Sequence, residues 1–309
     1  MWSSLLIVNI IYVPIFMLLW IVEITLIIVH IKDFTSSYYF FFVLCGIISL
    51  INETNINFGT RLPLFPEVNS FYGSAPWIQQ GLFPMLLYAI SHFFGAFHEC
   101  INICTAVNRA TSIIAPNSHV KIWRYGIPFA CLLMVLFGAA SSWHLFDSPC
   151  FFAPAKFEGR DYYLMMSDTS KHPDVSNSRN GVIVALVSPA ISMTLYLTAI
   201  CFLRKKWKLK IVRTEFSLLL LGCCSMMFSL PLAFQQLYFF VKGESVTEEE
   251  ALMLFQMLPW LFDLRFFSPT ILILITDSNM RDKFLRFLSL RQDVSSILVA
   301  LPSTVTSSS

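Results

Sequence analysis

A chain of 309 residues that is 56% hydrophobic and 13% charged, with 30 Phe, carries about half the ~25% charged residues of a soluble domain. That composition excludes a water-exposed globular surface and makes lipid the main solvent. The net charge of +2 acquires meaning only when it is sorted by loop.

In chain order, seven apolar stretches approach the ~20 residues needed to cross ~30 Å of hydrocarbon. They lie at about 5–29, 38–58, 82–107, 126–146, 181–203, 216–241 and 251–275. Each is too long and too evenly apolar for a strand, and backbone in lipid must bond within itself, so each is predicted as a helix. A closed barrel would show shorter, alternating segments. The predicted fold is an all-α bundle of seven transmembrane helices over 1–275, with a tail from 276 to 309. The first run follows "MWSS" without the basic flank or small-residue cleavage site of a signal peptide, so it is expected to remain as the first span. The second ends in the polar "LINETNINF", whose sequon Asn52-Glu53-Thr54 lies too near the span to be a glycan acceptor.

Alternate loops fall on opposite sides of the membrane. One set (30–37, 108–125, 204–215 and the tail) holds fourteen of the 21 Lys and Arg, including the run "RKKWKLKIVR"; the other set holds six, with many acids. The positive-inside rule therefore places the N-terminus outside and the C-terminus in the cytoplasm. Two long outer loops are expected at about 59–81 and 147–180. After the last span, "NMRDKFLRFLSL" puts Met280, Phe284, Phe287 and Leu288 on one face among basic residues, the pattern of a short helix on the inner leaflet.

Enzyme chemistry has little support. His98-Glu99 begins like a zinc-protease motif, but the second histidine is replaced by Asn102. Cys100 and Cys104 share a face, yet a dithiol alone is a poor metal site. The six histidines are scattered, and no phosphate loop or nucleophile elbow is present. No cofactor or metal is expected.

Ionisable residues within the spans are costly and functional by default. They are Glu23, Glu53, Glu99, Asp263 and Arg265, beside His92 and His98. Glu99, Asp263 and Arg265 are assigned to an intramembrane charge network, with an interhelical pair predicted between Glu99 and Arg265. Pro231 and Pro269 interrupt the hydrogen-bond ladders of the last two spans and are read as pivots.

Seven helices, an outside N-terminus, basic inner loops and prolines in the last two spans resemble a G-protein-coupled receptor, but not its rhodopsin-like majority. Where that group has Asp/Glu-Arg-Tyr, this chain has Asn108-Arg109-Ala110. "NRATSIIAPNSHVKIWR" is similar to the nematode serpentine chemoreceptors of the Srg superfamily (Srg or Srv branch), through Asn108, Arg109, Thr111, Pro116 and Trp123. A second match is Pro269, Leu272, Ser278, Asn279 and Arg281. The resemblance implies a chemosensory receptor at the plasma membrane, in a sensory cilium, that passes binding of an external small molecule to a heterotrimeric G protein. No nucleic-acid partner is implied. Asn108 and Arg109, with Arg204, Lys205 and Lys206, are the implied coupling residues. Arg109 is expected to snorkel to water at the inner boundary, with Asn108 free to hydrogen-bond its guanidinium. Depth and polarity nominate His92, Phe93, Gln235, Gln236, Gln256 and Trp260 as ligand contacts. The outer acids, "ESVTEEE" among them, would steer a cationic ligand. The alternative is a seven-helix transporter or ligand-gated channel.

Overall fold

Apolar residues occupy every side of the long runs, so periodicity cannot say which faces are buried; packing decides. The computed structural model describes residues 2–65, 67–157, 160–168, 170–172, 175, 177–205 and 212–299. The elements in order are α1 (Trp2–Val29), α2 (Ser37–Ile56), the short α3 (Asn69–Ser74) and α4 (Pro76–Gln79), α5 (Leu82–Ile114) and α6 (Pro116–Ser142). A hairpin of β1 (Cys150–Phe157) and β2 (Arg160–Ser167) follows, then α7 (Asn177–Lys205), α8 (Val212–Lys242), α9 (Glu248–Thr276) and α10 (Ser278–Val299).

Among the described residues, six helices are long and apolar enough to cross a membrane: α1, α2, α6, α7, α8 and α9. The long α5 is diluted by His92, His98, Glu99 and Arg109. It tolerates them because it is central, packing against α2, α6, α7 and α8. The chain is thus a multi-pass membrane protein, mostly helical, with six to seven helices suited to a bundle. Burial separates inner from outer helices. Only 28% of the most apolar window of α1 is buried, against 56% for α2. Ile10, Ile11, Ile15 and Leu18 of α1 are exposed, as a lipid-facing stripe requires.

Lipid tails give no hydrophobic reason for helices to associate, so close packing matters more, and small residues permit it. Three glycines do this. A Cβ on Gly46 of α2 would lie 2.5 Å from the Trp20 ring of α1, one on Gly138 of α6 2.9 Å from Phe93 of α5, and one on Gly222 of α8 2.3 Å from Tyr196 of α7. Trp20 also donates its indole N–H to the Phe266 carbonyl of α9 at 3.0 Å.

Several expected boundaries shift. The expected inner loop 108–125 is almost entirely helix, broken only at Ala115 (φ −129°, ψ 58°). Pro116 disfavours helix at the residue before it, then opens α6, where its missing N–H costs nothing. The expected outer loop 147–180 contains the hairpin, registered from Cys150↔Ser167 to Phe157↔Arg160. Phe152 packs with Tyr72 and Ile78, and Tyr162 with Leu64 and Leu252. The acid run "ESVTEEE" ends in a capping box: Thr247 Oγ accepts from Glu250 N at 3.2 Å, and Glu250 Oε2 from Thr247 N at 3.1 Å. At least one of its acids therefore starts a helix.

The tail helix α10 is longer than expected and is not simply a leaflet helix. Met280 is fully buried and Phe284 packs on the core, while Phe287 and Leu288 are exposed. Lys283 Nζ sits 2.5 Å from Asp33 Oδ2, and its hydrogen bond and charge hold that carboxyl below its usual range. A carboxylate with a lowered folded pKa stabilises the contact above the unfolded value and loses it as pH falls through the folded one.

Overpacking costs ~1–3 kcal/mol, so Gly46→Val should lower the melting temperature in detergent. At Gly95 of α5 an added Cβ meets nothing within 4 Å. Gly95→Ala should leave stability unchanged or raise it by up to ~1 kcal/mol.

Candidate functional site

A cavity of about 280 Å³ lies between α2, α5, α7, α8 and α9. Residues of β2, Tyr163 to Met165, form part of its wall, so the hairpin absent from the sequence reading helps to close the site. Phe239 of α8 and Phe255, Phe262 and Phe266 of α9 give it an apolar side, and Asn52, His92, Gln236, Glu99 and Arg265 supply polar groups.

Glu99 and Arg265 meet there, Arg265 Nη2 standing 2.7 Å from Glu99 Oε1. The same Nη2 lies 2.9 Å from His98 Nδ1. A guanidinium only donates, so Nδ1 is the acceptor and the ring proton sits on Nε2, which faces Cys45 Sγ at 3.4 Å. Asn102 donates to Glu99 Oε2 at 3.3 Å, and Ser188 of α7 to the Glu99 carbonyl at 3.1 Å. Pro269 cannot donate to the Arg265 carbonyl one turn earlier; Ser268 Oγ approaches that carbonyl at 3.4 Å instead. The pair thus couples α5 to α9 with its surroundings largely satisfied.

Asp263 belongs to a different cluster. It pairs with Arg61 and accepts from the Tyr12 hydroxyl. Arg61 also binds Glu53 Oε1 at 2.7 Å and Asn57 Oδ1 at 2.6 Å. Arg61 falls within the outer loop expected at about 59–81. A π-helical turn, Asn57–Arg61, instead continues α2 and turns it inward to 2% exposure. Its signal was Glu53, Asn57 and Arg61 at helical spacing of four.

The six nominated ligand contacts divide. His92 and Gln236 line the cavity. Phe93 points at Gly138 of α6, and Gln235 donates to the Leu254 carbonyl of α9 at 2.5 Å. Each is the immediate neighbour of a cavity residue, and the ~100° turn per residue of a helix carries it onto a neighbouring helix instead. Gln256 and Trp260 lie one turn apart on another face of α9, beside Arg61 in a much smaller recess. Trp260 stacks on Tyr12 of α1 at 5.7 Å. Asn52 was the missed member. Its sequon drew attention, but the side chain is 1% exposed and lines the cavity.

At the far end of α5, Arg109 does not snorkel: it is 2% exposed. Its guanidinium lies 4.2 Å from the Tyr38 ring centroid and donates to Ser36 Oγ at 3.2 Å, replacing water with an aromatic face and a hydroxyl. Asn108 donates to Ser37 Oγ at 2.5 Å. The break at Pro116 folds α6 back so that Trp123 Nε1 reaches Thr111 Oγ1 at 2.8 Å and its ring meets Phe41 edge-on. The spaced motif Asn-Arg-x-Thr, Pro, Trp therefore builds one joint between α2, α5 and α6. Arg204 is exposed at the end of α7; Lys205 closes that helix, and Lys206 lies outside the described residues. Pro231 and Pro269 are internal to α8 and α9, but so are Pro14, Pro128, Pro189 and Pro259 to their helices, so internal proline does not single out two pivots.

Removing one partner of a buried ion pair leaves the other uncompensated, at ~3–5 kcal/mol. Glu99→Leu and Arg265→Leu should each lower thermal stability strongly. The double variant should be more stable than either single one, a coupling readable from a double-mutant cycle in detergent.

No curated protein matches the chain. The family model described as Srg family chemoreceptor matches residues 6–284, nearly all of it. With the packed Asn108–Trp123 joint and an apolar cavity among membrane-suited helices, the chain belongs to the Srg family of chemoreceptors.

Proposed function

We propose that this chemoreceptor holds a small external ligand in the cavity and passes its binding to a heterotrimeric G protein at the Arg109 end, with the N-terminus outside the cell. The carrying observation is that α5 runs unbroken from Leu82 to Ile114. It bears Glu99 beside the cavity and Arg109 ten residues on, ~15 Å away along the axis. A ligand that contacts Arg265 or Glu99 differently in two arrangements of α9 against α5 shifts their balance, and only such differential contact can do so. In the arrangement described, Arg109 is held against Tyr38 and Ser36, which supports a resting state. Release of Arg109 toward the Arg204 and Lys205 end of α7 is the proposed signalling step. A plasma-membrane site, in a sensory cilium, follows from the same reading.

In cells carrying a G-protein reporter, Arg109→Ala should abolish the ligand response with surface expression kept. Tyr38→Leu, which removes the aromatic face holding Arg109, should raise ligand-free signalling several-fold. A ligand-evoked current or flux that persists without any G protein would instead establish a channel or transporter.

A further inference from the structure

Resting on the reading of the cavity as the ligand site, we infer that its ligand is an uncharged, mostly apolar molecule whose head both donates and accepts hydrogen bonds, as a carboxamide or an alcohol does. Among the described residues lining the cavity, the charged side chains are Glu99 and Arg265, and they neutralise each other at 2.7 Å. A ligand bringing its own charge would be desolvated with no countercharge waiting. The apolar wall of Phe239, Phe255, Phe262 and Phe266 suits a hydrocarbon body.

The hydrogen-bond balance then selects the head group. Asn52 is 1% exposed, and neither its Nδ2 nor its Oδ1 has a partner among the described residues. The Nε–H of Arg265 is likewise buried and unpartnered. Both residues line the cavity. Leaving such groups unsatisfied is costly in a folded protein, and these are two donor nitrogens, with three N–H between them, and one acceptor oxygen. A head that both donates and accepts carries the complement: a primary carboxamide, like an alcohol, offers an oxygen with two lone pairs for the donors and a hydrogen for Asn52 Oδ1. A carboxylate or ketone leaves Oδ1 unmatched, and an ammonium leaves both donors unmatched. The cavity, about 280 Å³, exceeds the ~150 Å³ of an apolar cavity that takes up benzene, so a short-chain molecule fits.

The test measures dissociation constants of hexanamide, 2-heptanone, hexanoate and hexylammonium on the purified full chain in nanodiscs. Three proteins are compared: the natural one, Asn52→Leu and Gly95→Leu. Hexanamide should bind at least about tenfold tighter than the other three, as one matched hydrogen bond set allows. Asn52→Leu removes an unpaired amide, so the ligand-free protein should melt no lower; its preference for hexanamide over 2-heptanone should collapse to within about threefold. Gly95→Leu projects into open space and should abolish binding of all four. Tightest binding by hexanoate or hexylammonium, lost in Gly95→Leu, would overturn the ligand class while keeping the cavity as the site. Binding unchanged in Gly95→Leu would overturn the site itself. No binding by any of the four at millimolar concentration would also overturn the inference.

Discussion

A guanidinium buried in a membrane protein must find its partners inside the fold, because lipid offers none. Three buried arginines meet that demand in a way that closes a ring. Arg61, at the end of the turn that extends α2, pairs with Asp263 of α9. Arg265 of α9 pairs with Glu99 of α5. Arg109 of α5 packs on Tyr38 of α2 and on Ser36, the N-cap of that helix. Each link joins two of the same three helices, so none of the three can slide without disturbing a buried charge. Close packing at Gly46 and Gly138 attaches α1 and α6 to this frame, and Gly222 packs α8 against α7.

The ring also places the site. Its α5–α9 link borders the cavity, and its α5–α2 link lies ten residues further along α5, inside the family's sequence signature. A ligand need not act across a long chain of contacts: one packed helix carries both ends. The π-helical turn at Asn57–Arg61 is a local departure from α-helix of a kind often found near functional sites. Here it turns Arg61 inward, toward Asp263.

What could be read from the residues alone followed from how strong each local signal is. The apolar runs and the charge bias announced a membrane bundle because lipid imposes those demands on composition. The cost of burying Glu99 and Arg265 made a pair the natural resolution, and the structure sets them 2.7 Å apart. Rotation about a helix axis was not legible in runs that are apolar all round. That is why His92 and Gln236 reach the cavity while their neighbours Phe93 and Gln235 face other helices. The hairpin was missed because "CFFAPAKF" and "RDYYLMMS" show no clean alternation; its inward residues, Phe152 and Tyr162, are picked out by what lies beneath them. Asn108 and Arg109 were recognised by motif, but their partners Ser36, Ser37 and Tyr38 are some seventy residues earlier. Only the fold brings them together.

The most direct test of the ring is a distance measurement. Spin labels at Ile114 and Ile275, both exposed near the ends of α5 and α9, report the far separation of those helices by double electron–electron resonance in nanodiscs. If the Glu99–Arg265 link holds the helices in register, Glu99→Leu will broaden and shift the Ile114–Ile275 distribution. A distribution identical to that of the natural protein would show that the Glu99–Arg265 link does not set the register of α5 and α9, and would contradict the account.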